Sequence, residues 1–199
     1  INNYLFKRKF NTMADNRFWA ASTSEPKRAY RFVLNLNGVD SWVVTKVNRP
    51  GFAVTEASHQ YLNHTFYYPG RVEYNTVSFT MVDPLEPNST AYAFALLSQS
   101  GYSLPNTKDY NTISKSKSLK ALGTPTIHTY NADGNIVETF TLINAWVKNV
   151  EMGDYDYSVD DLINITVEMR YDFARYDFKI GTPKTAVDTA AARKMSAGK

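Results

Sequence analysis

Between Leu162 and Ala174 the chain holds one unbroken alternation: Ile163, Ile165, Val167, Met169, Tyr171 and Phe173 fall on one side, and Asn164, Thr166, Glu168, Arg170 and Asp172 on the other. That pattern specifies a β-strand with one buried face, because successive side chains of an extended backbone point to opposite sides. At roughly 3.4 Å per residue, about eleven residues give a ribbon near 37 Å, about twice the usual strand. A small domain has little use for so long a strand in its own core. The pattern therefore predicts a sheet that continues into neighbouring copies of the chain, with the polar face lining a shared surface.

The 199 residues suit one domain with extensions. Apolar residues make up 43% and aromatics 14%, with 14 Tyr and 11 Phe, a composition for buried sheet and contact surface. No Cys occurs, which removes disulfides, thiolate metal sites and thiol catalysis together. A formal charge of +3 is too small to mark a nucleic-acid binder, and the groups Lys7-Arg8-Lys9 and Lys115, Lys117, Lys120 read as solvated loop charges. No apolar run approaches the roughly 18 residues of a membrane span, and no charged-then-apolar leader opens the chain. A soluble, non-secreted protein without stable membrane association is expected.

Residues 1–28 form a basic, aromatic arm with a short helix expected around Asp15 to Ser22. From Tyr30 to Leu36 and from Trp42 to Val47 two alternating runs flank Asn37-Gly38, the pair that predicts a two-residue β-hairpin. Residues 48–60 lack a period. Tyr61 to Tyr68 reads as a strand closed by a type II turn at Pro69-Gly70, returning through Val72 to Val82, so 48–82 is an irregular loop leading into a long hairpin. One helix is expected from a cap at Asn88 or Ser89 to a stop at Gly101, with Ala93, Phe94, Leu96 and Leu97 as its apolar stripe. Residues 102–126, rich in Ser, Lys, Asn and Thr, read as a mobile surface insertion. Ile127 to Tyr130 and Ile136 to Ile143 make a third hairpin around Asn131-Ala132-Asp133-Gly134, with Trp146 to Val150 as a further strand. The polar, Ala-rich residues 178–199 form a C-terminal extension.

Chemistry has few residues to carry it. His59 and His64, five apart in a strand-like stretch, fall on opposite faces, and with His128 they read as surface or packing residues. The acidic run Asp154, Asp156, Ser158, Asp160 approximates a calcium loop but has Val159 where Gly is needed and Ile165 where Glu is needed, so it reads as a turn. Ser114-Lys115-Ser116-Lys117 and Ser24-Glu25-Pro26-Lys27 match a two-residue acylation pattern that Ser- and Lys-rich loops produce by chance. Neither a phosphate-binding Gly loop nor a nucleophile elbow is present. No catalytic residue, metal site or cofactor is expected, and the chain reads as a non-enzyme. Tyr61, Phe66, Tyr67 and Tyr68 would suit base stacking, but only Arg71 accompanies them, so a protein interface is the better use of these rings.

The order of elements, with the Arg49-Pro50-Gly51 lead-in, the strand end Phe79-Thr80-Met81-Val82-Asp83 and the Trp146 strand leading to the final alternating strand, resembles the tail tube proteins of contractile-tailed bacteriophages over about residues 28–177. The tube-forming proteins of type VI secretion share that fold. The resemblance implies a mainly β chain with one flanking α-helix, a small barrel of two packed antiparallel sheets spanning 29–177. It also implies homo-hexameric rings that stack into a tube inside a sheath, in a virion tail assembled in the host cytoplasm. Its partners would be the sheath protein, baseplate proteins and tube initiator or terminator proteins, with transient passage of double-stranded DNA.

On that resemblance Asn164, Thr166, Glu168, Arg170 and Asp172 are expected to face the lumen, where Glu168 and Asp172 against Arg170 leave one net negative charge per copy. Pro50, Gly51, Phe52, Val54, Tyr61, Phe66 and Tyr67 are expected to stack each ring on the next. A tube initiator or a type VI secretion tube is the nearest alternative, and a single-stranded nucleic-acid-binding module the alternative from another class.

Overall fold

The computed structural model describes residues 25–105 and 110–178. Residues 1–31 and 32–199 are separate compact units. In the described part of the first, Arg31 Nη1 donates to the Glu25 carboxylate at 2.8 Å. The helix expected around 15–22, the Lys7-Arg8-Lys9 group and the extension beyond 178 lie outside the described residues.

Among the described residues the second unit runs β1 (Phe32–Asn35), a 3-10 turn (Ser41–Val43), β2 (Val44–Val47), β3 (Phe52–Tyr61), β4 (His64–Tyr74), β5 (Val77–Val82), α1 (Ser89–Gln99), α2 (Lys115–Leu122), β6 (Thr126–Tyr130), β7 (Ile136–Ile143), β8 (Trp146–Glu151), β9 (Asn164–Arg170) and β10 (Phe173–Phe178). These strands make two four-stranded antiparallel sheets, ordered β1-β6-β7-β10 and β2-β5-β9-β8, and a separate β3-β4 hairpin. The expected class, mainly β with two antiparallel sheets around one core, is the class observed. The sheets do not close into a barrel, and two helices stand where one was expected.

The core explains the register. Val77, Phe79 and Met81 of β5 lie opposite Met169, Val167 and Ile165 of β9, all buried. Leu34, Ile127 and Leu142 from the first sheet, Leu96 from α1 and Leu122 from α2 join them in one cluster. Burying each such side chain stabilises by about 1.5–3 kcal/mol. A slip of one residue would turn three apolar side chains on each central strand out to water, so the pairing is strongly specified.

Helix α1 begins where the sequence places it. Asn88 Oδ1 accepts from the Ala91 amide at 2.6 Å, and Asp83, at the end of β5, accepts from the amides of Ser89 and Thr90 at 2.9 and 3.2 Å. A carboxylate there satisfies free amides and complements the helix dipole. Of the expected stripe, Ala93 and Leu96 are buried while Phe94 and Leu97 stay exposed. The buried face is narrower because Tyr92 takes part of it, its hydroxyl donating to the Asn37 carbonyl at 2.7 Å. Burial pushes that phenol up to about 12.

Four expectations are corrected. Asn37-Gly38 does not close a hairpin: a single bridge, Leu36 to Val39, is followed by the 3-10 turn, and β1 pairs with β6 while β2 pairs with β5. Residues 48–60 are not irregular, since Phe52–Tyr61 is strand β3, and the hairpin turn sits at Leu62-Asn63, with Leu62 at φ 51, while Pro69-Gly70 lies inside β4. Residues 102–126 contain α2, capped by Ser114, whose hydroxyl accepts from the Lys117 amide at 3.3 Å, and ended by Gly123 at φ 74. Ala121 and Leu122 anchor it, a short apolar end hidden in a Lys- and Ser-rich composition.

The fourth correction concerns the long alternation. It spans two strands in two sheets, β9 and β10, and β9 is flanked on both margins by its own chain, by β5 and β8. The expected continuation into neighbours cannot occur along this strand. The chain changes sheet at Tyr171-Asp172, beside the change from β7 to β8 at Asn144, which adopts φ 54. Asp172 ties the two corners: its amide donates to the Ile143 carbonyl at 3.0 Å, and its carboxylate accepts from Asn144 Nδ2 at 2.7 Å and from Lys115 Nζ at 2.9 and 2.8 Å. The facing does not carry through this bend: Tyr171 is buried, whereas Phe173 at the start of β10 is 48% exposed and Ala174 packs against the core, so the expected apolar face ends at Tyr171.

The bonds from Lys115 and Asn144 hold the Asp172 carboxyl below the usual carboxylate range. Because the folded value lies below the unfolded one, this stabilisation is present above the unfolded pKa near 3.9 and is lost as pH falls through the folded value. Asp172→Asn should cost about 0.5–1 kcal/mol at neutral pH, the scale of an exposed pair. In urea titrations the gap to wild type should narrow below about pH 3.

Candidate assembly surfaces

Two exposed surfaces carry the residues singled out from sequence, one a polar sheet face and the other an aromatic-rich hairpin. The first is the outer face of the β2-β5-β9-β8 sheet, opposite the core. Across it runs the row Lys46, Thr80, Thr166, Glu151, and beside that the row Ser78, Glu168, Asn149. The Asn48 amide side chain donates to the Ser78 hydroxyl at 2.8 Å, and Thr80 and Thr166 hydroxyls lie 3.4 Å apart. Lys148 Nζ donates to Glu168 at 3.1 Å. Hydrogen bonds from Thr76 and then Lys148 hold the Glu168 carboxyl below the ordinary range.

Of the residues expected to share one face, Asn164, Thr166, Glu168 and Arg170 all lie on β9, facing away from the buried Ile165, Val167 and Met169. Asp172 is not brought together with them; it stands beyond the strand in the corner clasp. Lys46, Ser78, Thr80, Asn149 and Glu151 share the surface and were not singled out from sequence. The alternation of β5 beside that of β9 was the signal for Ser78 and Thr80.

The second surface is the β3-β4 hairpin, exposed along nearly its whole length. Phe52, Val54, Tyr61, Phe66 and Tyr67 all lie on it, each half or more exposed, with Tyr68 and Val72 beside them; Pro50 and Gly51 lead into β3. Its pairing shifts where Thr55 alone faces both Gly70 and Arg71, a β-bulge. Thr55 Oγ1 accepts from the Arg71 amide at 2.8 Å. A Cβ on residue 70 would collide with the Thr55 hydroxyl and stand 2.8 Å from its carbonyl oxygen, so this position requires glycine. Pro69 is tolerated because a two-stranded ribbon consists only of edges. At its base Tyr74 packs on Tyr171, ring centroids 5.8 Å apart, and burial pushes the Tyr171 phenol up to about 12.

The Arg49-Pro50-Gly51 lead-in has a structural role. Arg49 Nη2 lies 3.1 Å from Oε1 of Glu138, which is 1% exposed on the core side of β7. Glu138 also accepts from Thr129 and Tyr176 hydroxyls, each at 3.1 Å. The pair bridges the two sheets where the chain leaves β2 for the hairpin.

The remaining candidates have structural roles. His59 and His64 share one face of the hairpin, contrary to expectation, because the turn falls between them. His128 Nδ1 lies 2.8 Å from the Thr139 hydroxyl. Among the described residues no group of three or more His, Asp or Glu could hold a metal ion. In the acidic run Asp156 accepts from the amide and hydroxyl of Ser158 at 2.8 and 2.7 Å, a local turn. The Ser114-Lys115-Ser116-Lys117 pattern is the N-cap of α2. No helix among the described residues is long and apolar enough to cross a membrane.

No family model matches the sequence, and no curated protein matches it. Solved structures do. A chain of the sixfold-symmetrised baseplate of the anti-feeding prophage aligns at TM-score 0.57 and 16% identity, over 78% of this chain and 97% of that one. A chain of the sheath-tube complex of the PVC extracellular contractile injection system, in its extended state, aligns at 0.55 and 14%, over 79% and 95%. A chain from the tube-terminating cap of the anti-feeding prophage aligns at 0.55 and 15%, over 80% and 95%. At such identities the likeness is one of fold. The fold is of the tail tube type, found in chains of contractile injection particles, as the sequence resemblance implied.

Arg49→Ala takes the guanidinium from a buried carboxylate and should destabilise by about 1–3 kcal/mol. Adding Glu138→Gln should recover part of that loss, a coupling that urea denaturation of the two single variants and the double variant would measure.

Proposed function

We propose that the chain is the repeating subunit of a contractile particle's tail tube, forming stacked hexameric rings inside a sheath through which double-stranded DNA passes. The observation that carries the reading is the match in fold over 95% or more of the length of chains from two contractile particles. The chain's role is structural, without catalysis, and its place is the tail of a particle assembled in the host cytoplasm. Sheath, baseplate and tube-initiating or terminating proteins are its partners.

The sheet geometry supports ring closure at other margins than β9. With an even number of antiparallel strands, β2 and β8 run in opposite directions. Rotation about an axis along the strands then sets β8 of one copy antiparallel to β2 of the next, with no break in the pattern. Joining these margins removes two exposed edges per copy. They also carry opposite charges at the two ends of one row, Lys46 on β2 and Glu151 on β8, both exposed.

The β9 residues Asn164, Thr166, Glu168 and Arg170 then face the bore. On this face Lys46, Lys148 and Arg170 against Glu151 and Glu168 leave one net positive charge per copy, opposite in sign to the expected value because Asp172 is not on it and Lys46 and Lys148 are, and too sparse a cationic surface to hold a duplex tightly. The hairpin, with Phe52, Val54, Tyr61, Phe66 and Tyr67, stacks ring on ring, and Pro50-Gly51 sets its departure.

Negative-stain images of the purified chain should show hollow tubes. Rings that never stack would favour an initiator or terminator role. A monomer at every concentration that binds oligonucleotides in a salt-sensitive way would replace the reading with a single-strand binder. Phe52→Asp should leave the melting curve unchanged and abolish long tubes. Lys46→Glu and Glu151→Lys should each weaken ring formation, by about 0.2–1 kcal/mol per seam, and the two together should restore it in sedimentation assays.

A further inference from the structure

The bulge at Gly70-Arg71 changes what the hairpin offers to its surroundings. Between the base and the bulge, Phe52 and Val54 pair with Tyr74 and Val72, so their side chains share one face, while Ala53, Thr55, Arg71 and Glu73 take the other. Beyond it the extra residue on β4 reverses that strand's alternation relative to β3. Ala57 now pairs with Tyr68, His59 with Phe66 and Tyr61 with His64, and these side chains occupy the face that carried Ala53 and Glu73. The first face continues with Glu56, Ser58, Gln60 and Thr65, interrupted by Tyr67 and Pro69. The apolar surface therefore crosses from one side of the ribbon to the other at residue 70.

Five aromatic residues, Leu62 and two valines on the hairpin are 50–86% exposed, which at 150–250 Å² per aromatic ring comes to roughly 900 Å². One partner in a stable complex contributes about 800 Å². Divided between opposite faces, each patch is about half that size, too small to hold a dimer but effective when repeated along a polymer.

We infer that the hairpin is a bridge, with its base patch (Phe52, Val54, Val72) and its distal patch (Tyr61, Phe66, Tyr68) bound by two different copies of this chain on opposite faces of the ribbon. The inference rests on the tube reading and specifies its contacts. Gly70 is then a specificity-determining residue, because it permits the bulge that puts the distal rings on the second face.

The absence of native Cys makes the test direct, since one thiol at a time can be introduced and labelled with a maleimide. In wild-type-like tubes, thiols at Val72 and Phe66 should label at least about tenfold more slowly than in dissociated subunits, while a thiol at Glu73 keeps its free rate. A variant that loses tubes but keeps the wild-type melting curve counts as protected at that position. Protection of Ser58 together with Val72, and free labelling at Phe66, would mean a single-faced contact and overturn the inference while leaving the tube intact. A wild-type chain that forms no tubes overturns the inference together with the tube reading.

Discussion

Two sheets can share one core only if the chain passes between them without leaving backbone groups unpaired, and in this protein both passages on one side meet at Asp172. Its amide closes on the Ile143 carbonyl, and its carboxylate gathers Asn144 from the other corner and Lys115 from the start of α2. The clasp is partly exposed and modest in energy, yet its position is decisive. It ends β9 at Arg170 and starts β10 at Phe173, so it sets how long the polar outer face can be and which residues belong to it.

Division of the surface follows from that geometry. The two-sheet body buries a complete apolar layer, from Leu34 to Met169, and is stable by ordinary means. The β3-β4 hairpin has no such layer, and a two-stranded ribbon alone is marginal in water. Its exposed rings find no cover within the described residues of their own chain, which is why the proposed ring-stacking contact is placed there. The body carries its polar face as Thr, Ser and Asn with charges of both signs, a surface that water solvates without cost to the core behind it.

Much of this was legible along the chain, for local reasons. Asn88 and Gly101 bound a helix because capping and left-handed stops act over three or four residues. The hairpin around Asn131 to Gly134 and the strand at Trp146 follow from turn chemistry and alternation in the same way. The faces of β9 were readable because one side must be apolar. What escaped were events between distant residues. Asn37-Gly38 has the chemistry of a tight turn, but β1 and β2 find better partners in β6 and β5. Pro69-Gly70 has the chemistry of a type II turn, but the close approach of Thr55 uses that glycine inside a strand.

By itself the sequence determined which residues can be buried, where α1 starts and stops, and that the chain is mostly strand, because those depend on side-chain type and short-range spacing. Only the tertiary structure decided which strand neighbours which, that β9 is central and not an edge, and that the apolar side of the hairpin switches at Gly70. Strand partners and margins depend on hydrogen bonds between residues tens of positions apart, and alternation, being the same for every register and every partner, carries no record of them.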